Sequence, residues 1–119
     1  MIDVKIETIK SPAGTSFTFN LIKVIGEVDA TNSVVVQQKV LPISLPGCRI
    51  ILDLSKVSYM SSAGLRMLLS FYRQTSSNNG QIVLVGVTDE LKDTMSMTGF
   101  LGYFIIQDTL ESGMNAFRS

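Results

Sequence analysis

The sequence predicts one α/β domain over residues 1–119: a mixed, largely parallel sheet, opened by an N-terminal hairpin and packed by about four helices. Three observations predict it. Strand-like and helix-like patterns alternate from residue 20 onward, the order that builds parallel strands joined by helical crossovers. Two apolar runs, Arg49 to Leu54 and Gln81 to Val87, lack the period-two alternation of a half-exposed strand, as strands buried on both faces do. Leu65, Leu68, Leu69 and Tyr72 fall at i, i+3, i+4 and i+7, the stripe of a helix with one buried face.

In chain order, residues 2–9 alternate as a first strand, and Ser11-Pro12-Ala13-Gly14-Thr15 reads as a hairpin turn. Phe17 to Val28 reads as a long second strand, bent near Asn20 and closed by Gly26-Glu27-Val28-Asp29. Thr31-Asn32-Ser33 offers caps for a helix to about Leu41, against the lower propensity of Val34-Val35-Val36. Pro42 and Pro46 end that helix and Gly47 turns the chain into the Arg49 strand. A helix from Ser62 to about Ser76 stops at Asn78-Asn79-Gly80. After the Gln81 strand, Thr88-Asp89-Glu90 caps a helix to about Met97, ended by Gly99. Phe104-Ile105-Ile106 is a short last strand, and Asp108 caps a closing helix weakened by Gly113.

Composition narrows the function. With 45% apolar and 17% charged residues the chain folds as a globular domain. Ten acidic and ten basic side chains cancel and form no basic stripe, which argues against nucleic acid as a partner. The apolar runs are too short to span a bilayer, and the alternating N-terminus lacks the form of a signal peptide. A cytoplasmic location is therefore expected, and a small globular domain of this size is expected to be a monomer. The one cysteine, Cys48, is read as a small residue before a strand. There is no histidine, which removes the usual general base and the Ser-His-Asp and Cys-His constellations. No glycine-rich phosphate loop is present. The expectation is a protein with no catalysis, metal or cofactor of its own.

The informative stretch runs from Ile50 to Arg66. It hands a buried strand to a helix through Met60-Ser61-Ser62-Ala63-Gly64. A serine before a helix accepts a backbone N–H left unpaired by the first turn. That end of a helix also tolerates an anion. A phosphate on Ser61 or Ser62 would thus leave the fold intact while adding roughly two negative charges to the surface. The plainer reading is that both serines are caps.

These residues resemble the STAS domain family, and within it the stand-alone bacterial anti-sigma factor antagonists. The likeness rests on Leu52-Asp53-Leu54-Ser55-Lys56-Val57 followed by Met60-Ser61-Ser62-Ala63-Gly64-Leu65, on Gly26-Glu27-Val28-Asp29, and on Thr98-Gly99-Phe100 followed by Phe104. Position by position, the resemblance implies that Ser62 is the phosphorylated serine, with Ser61 the alternative. Ser61 stands where the family often has aspartate, so one charge is lost and a hydroxyl gained. Asp29 matches a loop acid near that serine, or caps the helix after it. The resemblance implies a partner-binding surface of Asp29, Met60, Ser61, Ser62, Ala63, Gly64 and Arg66. Met60, Met95 and Met97 offer adaptable contacts or fill the core. Gly64 keeps the surface flat or lets helix and strand pack closely. The implied partners are an anti-sigma factor that is also a serine kinase of the histidine-kinase-like ATPase fold, and a PP2C-type phosphatase. The implied role is a partner switch in transcription regulation: binding when unphosphorylated, release when phosphorylated.

Three rivals remain. A response-regulator receiver would use Asp53, at the end of a central strand, as phospho-acceptor. It also needs an acidic pair after the first strand and a late lysine, whereas Asp3 begins that strand and no lysine follows Lys92. A STAS module of a transporter, lipid-transport or sensory complex keeps the fold and changes the job. A nucleotide-binding module has no supporting motif.

Overall fold

The structure, a computed structural model, describes residues 2–10 and 18–117. Among these the strands are β1 (Asp3–Lys10), β2 (Thr18–Ile25), β3 (Arg49–Lys56), β4 (Gln81–Val85) and β5 (Ile105–Gln107). The α-helices are α1 (Ser33–Val40), α2 (Ser62–Ser77), α3 (Asp89–Met97) and α4 (Leu110–Asn115). The strands lie in sequence order across one five-stranded sheet. β1 and β2 pair antiparallel, from Asp3 opposite Ile25 to Lys10 opposite Thr18, and every later pair is parallel. This is the expected mixed sheet with an N-terminal hairpin. The expected turn at residues 11–15 lies outside the described residues.

A sheet that grows in one direction through crossovers of one hand places its helices on one side. Accordingly Val36 and Val40 of α1, Leu65, Leu68 and Phe71 of α2, and Leu91 and Met95 of α3 share one core with Ile22, Ile50, Leu52 and Leu84. The alternate residues Phe19, Leu21, Ile51, Val83 and Val85 face the other way and form a smaller core with Met114 and Phe117 near α4. The Phe19 and Phe117 rings meet edge-on at 5.0 Å. Gly113 permits the approach of α4, because a Cβ there would stand 2.6 Å from Val85 Cγ1. β3 and β4 are thus covered on both faces, which explains their unbroken apolar runs.

Boundaries moved where backbone geometry outweighed the side-chain pattern. β2 stops at Ile25 rather than Val28: its register with β3 shifts between Lys23 and Ile25, and Gly26 adopts φ +118°. β4 stops at Val85 because Gly86 turns the chain at φ +69°. Val87 stays buried beyond it. α1 ends at Val40, and Pro42 sits within a 3-10 turn, Leu41–Ile43, that continues it. Thr109, and not Asp108, caps α4, through reciprocal bonds with Ser112. Thr88 caps α3 as expected, accepting from the Leu91 N–H at 3.2 Å. No helix among the described residues is long and apolar enough to cross a membrane.

Phe71 is 1% exposed in the main core, whereas Tyr59 is 53% exposed. Phe71→Ala is expected to cost about 3–5 kcal/mol in urea denaturation. Tyr59→Ala should stay within about 0.5 kcal/mol.

Candidate functional site

The site forms where the chain leaves β2 and where it enters α2. Beyond β2, Val28 makes a single parallel bridge to Met60. The Val28 N–H donates to the Tyr59 carbonyl at 3.0 Å, and the Ser61 N–H donates to the Val28 carbonyl at 2.8 Å. The two loops are thereby joined, and Asp29 follows directly on the residue that holds Ser61.

The two serines then divide the labour. Ser61 is the N-cap of α2, with φ −72° and ψ 173°, and its oxygen accepts from the Gly64 N–H at 3.2 Å. Ser62 is the first helical residue. It is exposed, and its hydroxyl takes no hydrogen bond among the described residues. The first turn of α2 carries no acidic side chain. Nothing in that turn therefore offsets the partial positive charge of the helix start.

Gly64 is buried against the bridge. A Cβ there would fall 2.5 Å from Met60 Cγ, 2.9 Å from Val28 Cγ1 and 3.2 Å from the Val28 carbonyl oxygen. Close packing accounts for this glycine, the second of its two expected roles. Met60 is 3% exposed and Met95 is fully buried, so both fill the core. The expectation that Met60 offers a surface contact is corrected: it supports the site from beneath. Of the three methionines only Met97, 88% exposed, lies open. Ala63 is half-buried and Arg66 is exposed on α2.

Asp29 organises the turn before α1. Its Oδ1 accepts from the Thr31 N–H at 2.9 Å, the Thr31 hydroxyl at 2.6 Å and the Asn32 N–H at 3.0 Å. These donors, the Thr31 hydroxyl foremost, hold its carboxyl below the ordinary value of 3.8. Asn32 occupies the N-cap position, but its side chain turns back to the Asp29 N–H and the Glu27 carbonyl. Asp29 thus holds the turn that leads into α1 without capping the helix, and lies one residue beyond the bridge.

Sequence reasoning missed the exposed apolar side chains on α1 and ahead of the bridge. Val34 and Val35 are 53% and 41% exposed on α1, which packs against α2, and Tyr59 stands just before the bridge. The signal was in the run Val34-Val35-Val36: a helix that buries Val36 on one face must present its two neighbours elsewhere. Asp53, the rival phospho-acceptor, accepts from the Ser55 N–H at 2.9 Å. It lines a depression with Lys5, Lys23, Ser55 and Lys56, to which Ser61 and Ser62 do not contribute.

Comparison with known proteins gives a consistent result. The STAS domain family model matches residues 15–113. BtrV of Bordetella bronchiseptica, provisionally named an anti-sigma factor antagonist, is 32% identical over 71 residues. That match covers 60% of this chain and 61% of the relative's length. The anti-sigma-B factor antagonist of Bacillus subtilis is 25% identical over 93 residues, 78% of this chain and 85% of the relative. Among solved structures, an anti-sigma factor antagonist from Mycobacterium paratuberculosis superposes with a TM-score of 0.74 at 22% identity, covering 98% of this chain and 96% of that one. The murine anion transporter Slc26a9 contains the same fold, with a TM-score of 0.76 at 16% identity over 92% of this chain and 21% of the transporter.

Two outcomes follow from the geometry. Gly64→Ala must displace Val28 or Met60 and is expected to lower stability by about 1–3 kcal/mol in chemical denaturation. For Asp29 the folded carboxyl titrates below its unfolded value. Its support of the turn is therefore complete above pH 3.8 and lost as pH falls through the folded value. The amide shifts of Thr31 and Asn32, followed by NMR, should titrate with a midpoint below 3.8 and lose that step in Asp29→Asn.

Proposed function

The chain belongs to the STAS domain family, and on that premise we propose that it is an anti-sigma factor antagonist whose binding is switched by phosphorylation of Ser62. Unphosphorylated, it binds an anti-sigma factor that is also a serine kinase of the histidine-kinase-like ATPase fold, and so releases a sigma factor. The kinase then transfers the γ-phosphoryl group of its own ATP to Ser62 Oγ. The hydroxyl proton leaves to a base, ADP departs, and the complex dissociates. A PP2C-type phosphatase hydrolyses the ester and resets the cycle. The protein is substrate and ligand throughout, and the chemistry belongs to its partners.

One observation carries this reading: the Ser62 hydroxyl is exposed and uncommitted at the first position of α2, while the Ser61 oxygen is engaged by the Gly64 N–H. Phosphorylating Ser61 would disturb a cap, worth about 1 kcal/mol. Phosphorylating Ser62 leaves the cap in place and puts negative charge where the helix start favours it. The fold therefore survives modification, and the change is spent on the surface.

That surface is a patch in which Asp29, Ser61, Ser62, Ala63 and Arg66 lie over the buried Met60 and Gly64, with Tyr59 just before the bridge and Val34 and Val35 exposed on α1, which packs against α2. Exposed apolar side chains mixed with polar ones give the patch the overall composition of a non-obligate interface. Introducing roughly two charges into that patch raises the desolvation cost and repels acidic groups opposite. A tenfold loss of affinity needs only about 1.4 kcal/mol.

The test is phosphosite mapping by mass spectrometry after incubation with host lysate and ATP. Label is expected on Ser62, absent in Ser62→Ala and retained in Ser61→Ala. Ser62→Glu should bind the kinase at least tenfold more weakly than Ser62→Ala in calorimetry. Label on Ser61 alone would move the switch by one residue. No label on either serine beside an active kinase would favour a constitutive module of a transporter, lipid-transport or sensory complex.

A further inference from the structure

We propose that the outer edge of β1 is a self-association surface, on which a second copy of this chain pairs its own β1 antiparallel about a two-fold axis through Ile6. β1 is the edge strand of the sheet, and all eight of its residues pair with β2 without a bulge. No other described strand pairs with its outer side. Edges are usually blunted by shortness, charged side chains, proline, a bulge or a cover. The charges of this one, Asp3, Lys5, Glu7 and Lys10, are of both signs, so they repel in some registers and attract in others. Over Asp3–Lys10 this edge is long, regular and free of proline.

Charge selects the occupant. Strand geometry puts Asp3, Lys5, Glu7 and Ile9 on the face that α4 packs, and Val4, Ile6 and Thr8 on the other. Ile9 accordingly meets the smaller core and Val4 the larger. Lys5 stands directly opposite Lys23, a like-charge pair that weakens the β1–β2 ladder. Among the described residues Glu7 forms an ion pair with Lys23 at 3.9 Å, and Lys5 forms none within 4.0 Å. Beside it, Lys5, Lys23 and Lys56 line a depression of about 260 Å³ whose acidic member is Asp53. The strand edge therefore presents a lysine at residue 5 and, two residues away on either side, the carboxylates of Asp3 and Glu7.

A two-fold axis through Ile6 answers Lys5 and Glu7 together. It sets Lys5 opposite the partner's Glu7, and Glu7 opposite the partner's Lys5. Val4 then meets the partner's Thr8, and Ile2 the partner's Lys10, so the pairing runs from residue 2 to residue 10. The two Ile6 side chains meet on the axis. Ile6 is 42% exposed although Ile22, its neighbour on β2, is fully buried. Other registers lose this match. Centring on Lys5 opposes two lysines and sets Asp3 against Glu7, and centring on Glu7 opposes two glutamates. Centring on Val4 pairs Lys5 with Asp3 but leaves Thr8, Ile9 and Lys10 unpaired. The product is one continuous sheet formed from two five-stranded ones. Association of two copies depends on concentration by mass action. This departs from the expected monomer. It rests on β1 alone, independently of the serine switch.

The experiment is sedimentation velocity over a wide concentration range, with circular dichroism to confirm that each variant folds. The wild type should form a dimer that weakens as salt rises. K5E and E7K should each weaken dimerisation at least tenfold, and the exchange K5E/E7K should restore it. In a C48S background, I6C should form a disulfide-linked dimer on oxidation. T8C should not, because Thr8 faces the partner's Val4. A monomer at every concentration, single variants that dimerise like the wild type, an exchange that fails to restore, or equal cross-linking of I6C and T8C would each overturn the proposal.

Discussion

The bridge between Val28 and Met60 is the constraint on which the candidate site depends. Two strands that run parallel end in two loops, and each loop carries polar backbone that a buried position must satisfy. The Val28 N–H and carbonyl are satisfied by Tyr59 and Ser61, which ties the exit of β2 to the entrance of α2. Everything nearby adapts to that tie. Gly64 is a glycine because the bridge leaves no room for a Cβ, and Met60 is buried because its backbone is the bridge. Asp29 stands beside the helix start because it follows Val28. A surface patch with residues from two distant parts of the chain thus has a rigid floor.

On that floor the two adjacent serines have opposite characters for a geometric reason. The N-cap residue is extended, and its oxygen points back to the free N–H groups of the first turn. The next residue is helical, and its side chain leaves the axis into solvent. Ser61 and Ser62 occupy these two positions. One hydroxyl holds the helix and the other is available, although their residue type is the same. The first turn of α2 carries no acidic side chain, so nothing within the helix offsets the partial positive charge of its start.

The sheet itself is asymmetric. Three helices cover one face, while the short α4 covers only part of the other. The uncovered part carries Lys5, Lys23, Asp53 and Lys56, and it adjoins the β1 edge. The buried centre of the sheet therefore gives way to a charged margin on the hairpin side.

Most of the fold was legible from side-chain pattern. Runs without alternation marked β3 and β4, spacing of three and four marked α2, and Thr88 marked the start of α3. What escaped were endings set by backbone conformation. Gly26 and Gly86 stop strands whose apolar pattern continues through Val28 and Val87, since burial continues after strand pairing has ended. Thr109 displaced Asp108 as a cap because Ser112 returns its hydrogen bond, a reciprocity that composition does not reveal.

For the site, the sequence alone determined the ingredients: two hydroxyls before an amphipathic helix, a glycine within its first turn, an acid after the second strand, and the STAS motifs that contain them. Local pattern can do this because each depends on neighbours within a few residues. Only the tertiary structure decided which serine caps and which is open, that Met60 faces inward, that Gly64 serves packing, and that Val34, Val35 and Tyr59 stay exposed. Those outcomes depend on contact between residues some thirty positions apart, across the Val28–Met60 bridge and the α1–α2 packing, and pairing at that range leaves no periodic trace in a single chain.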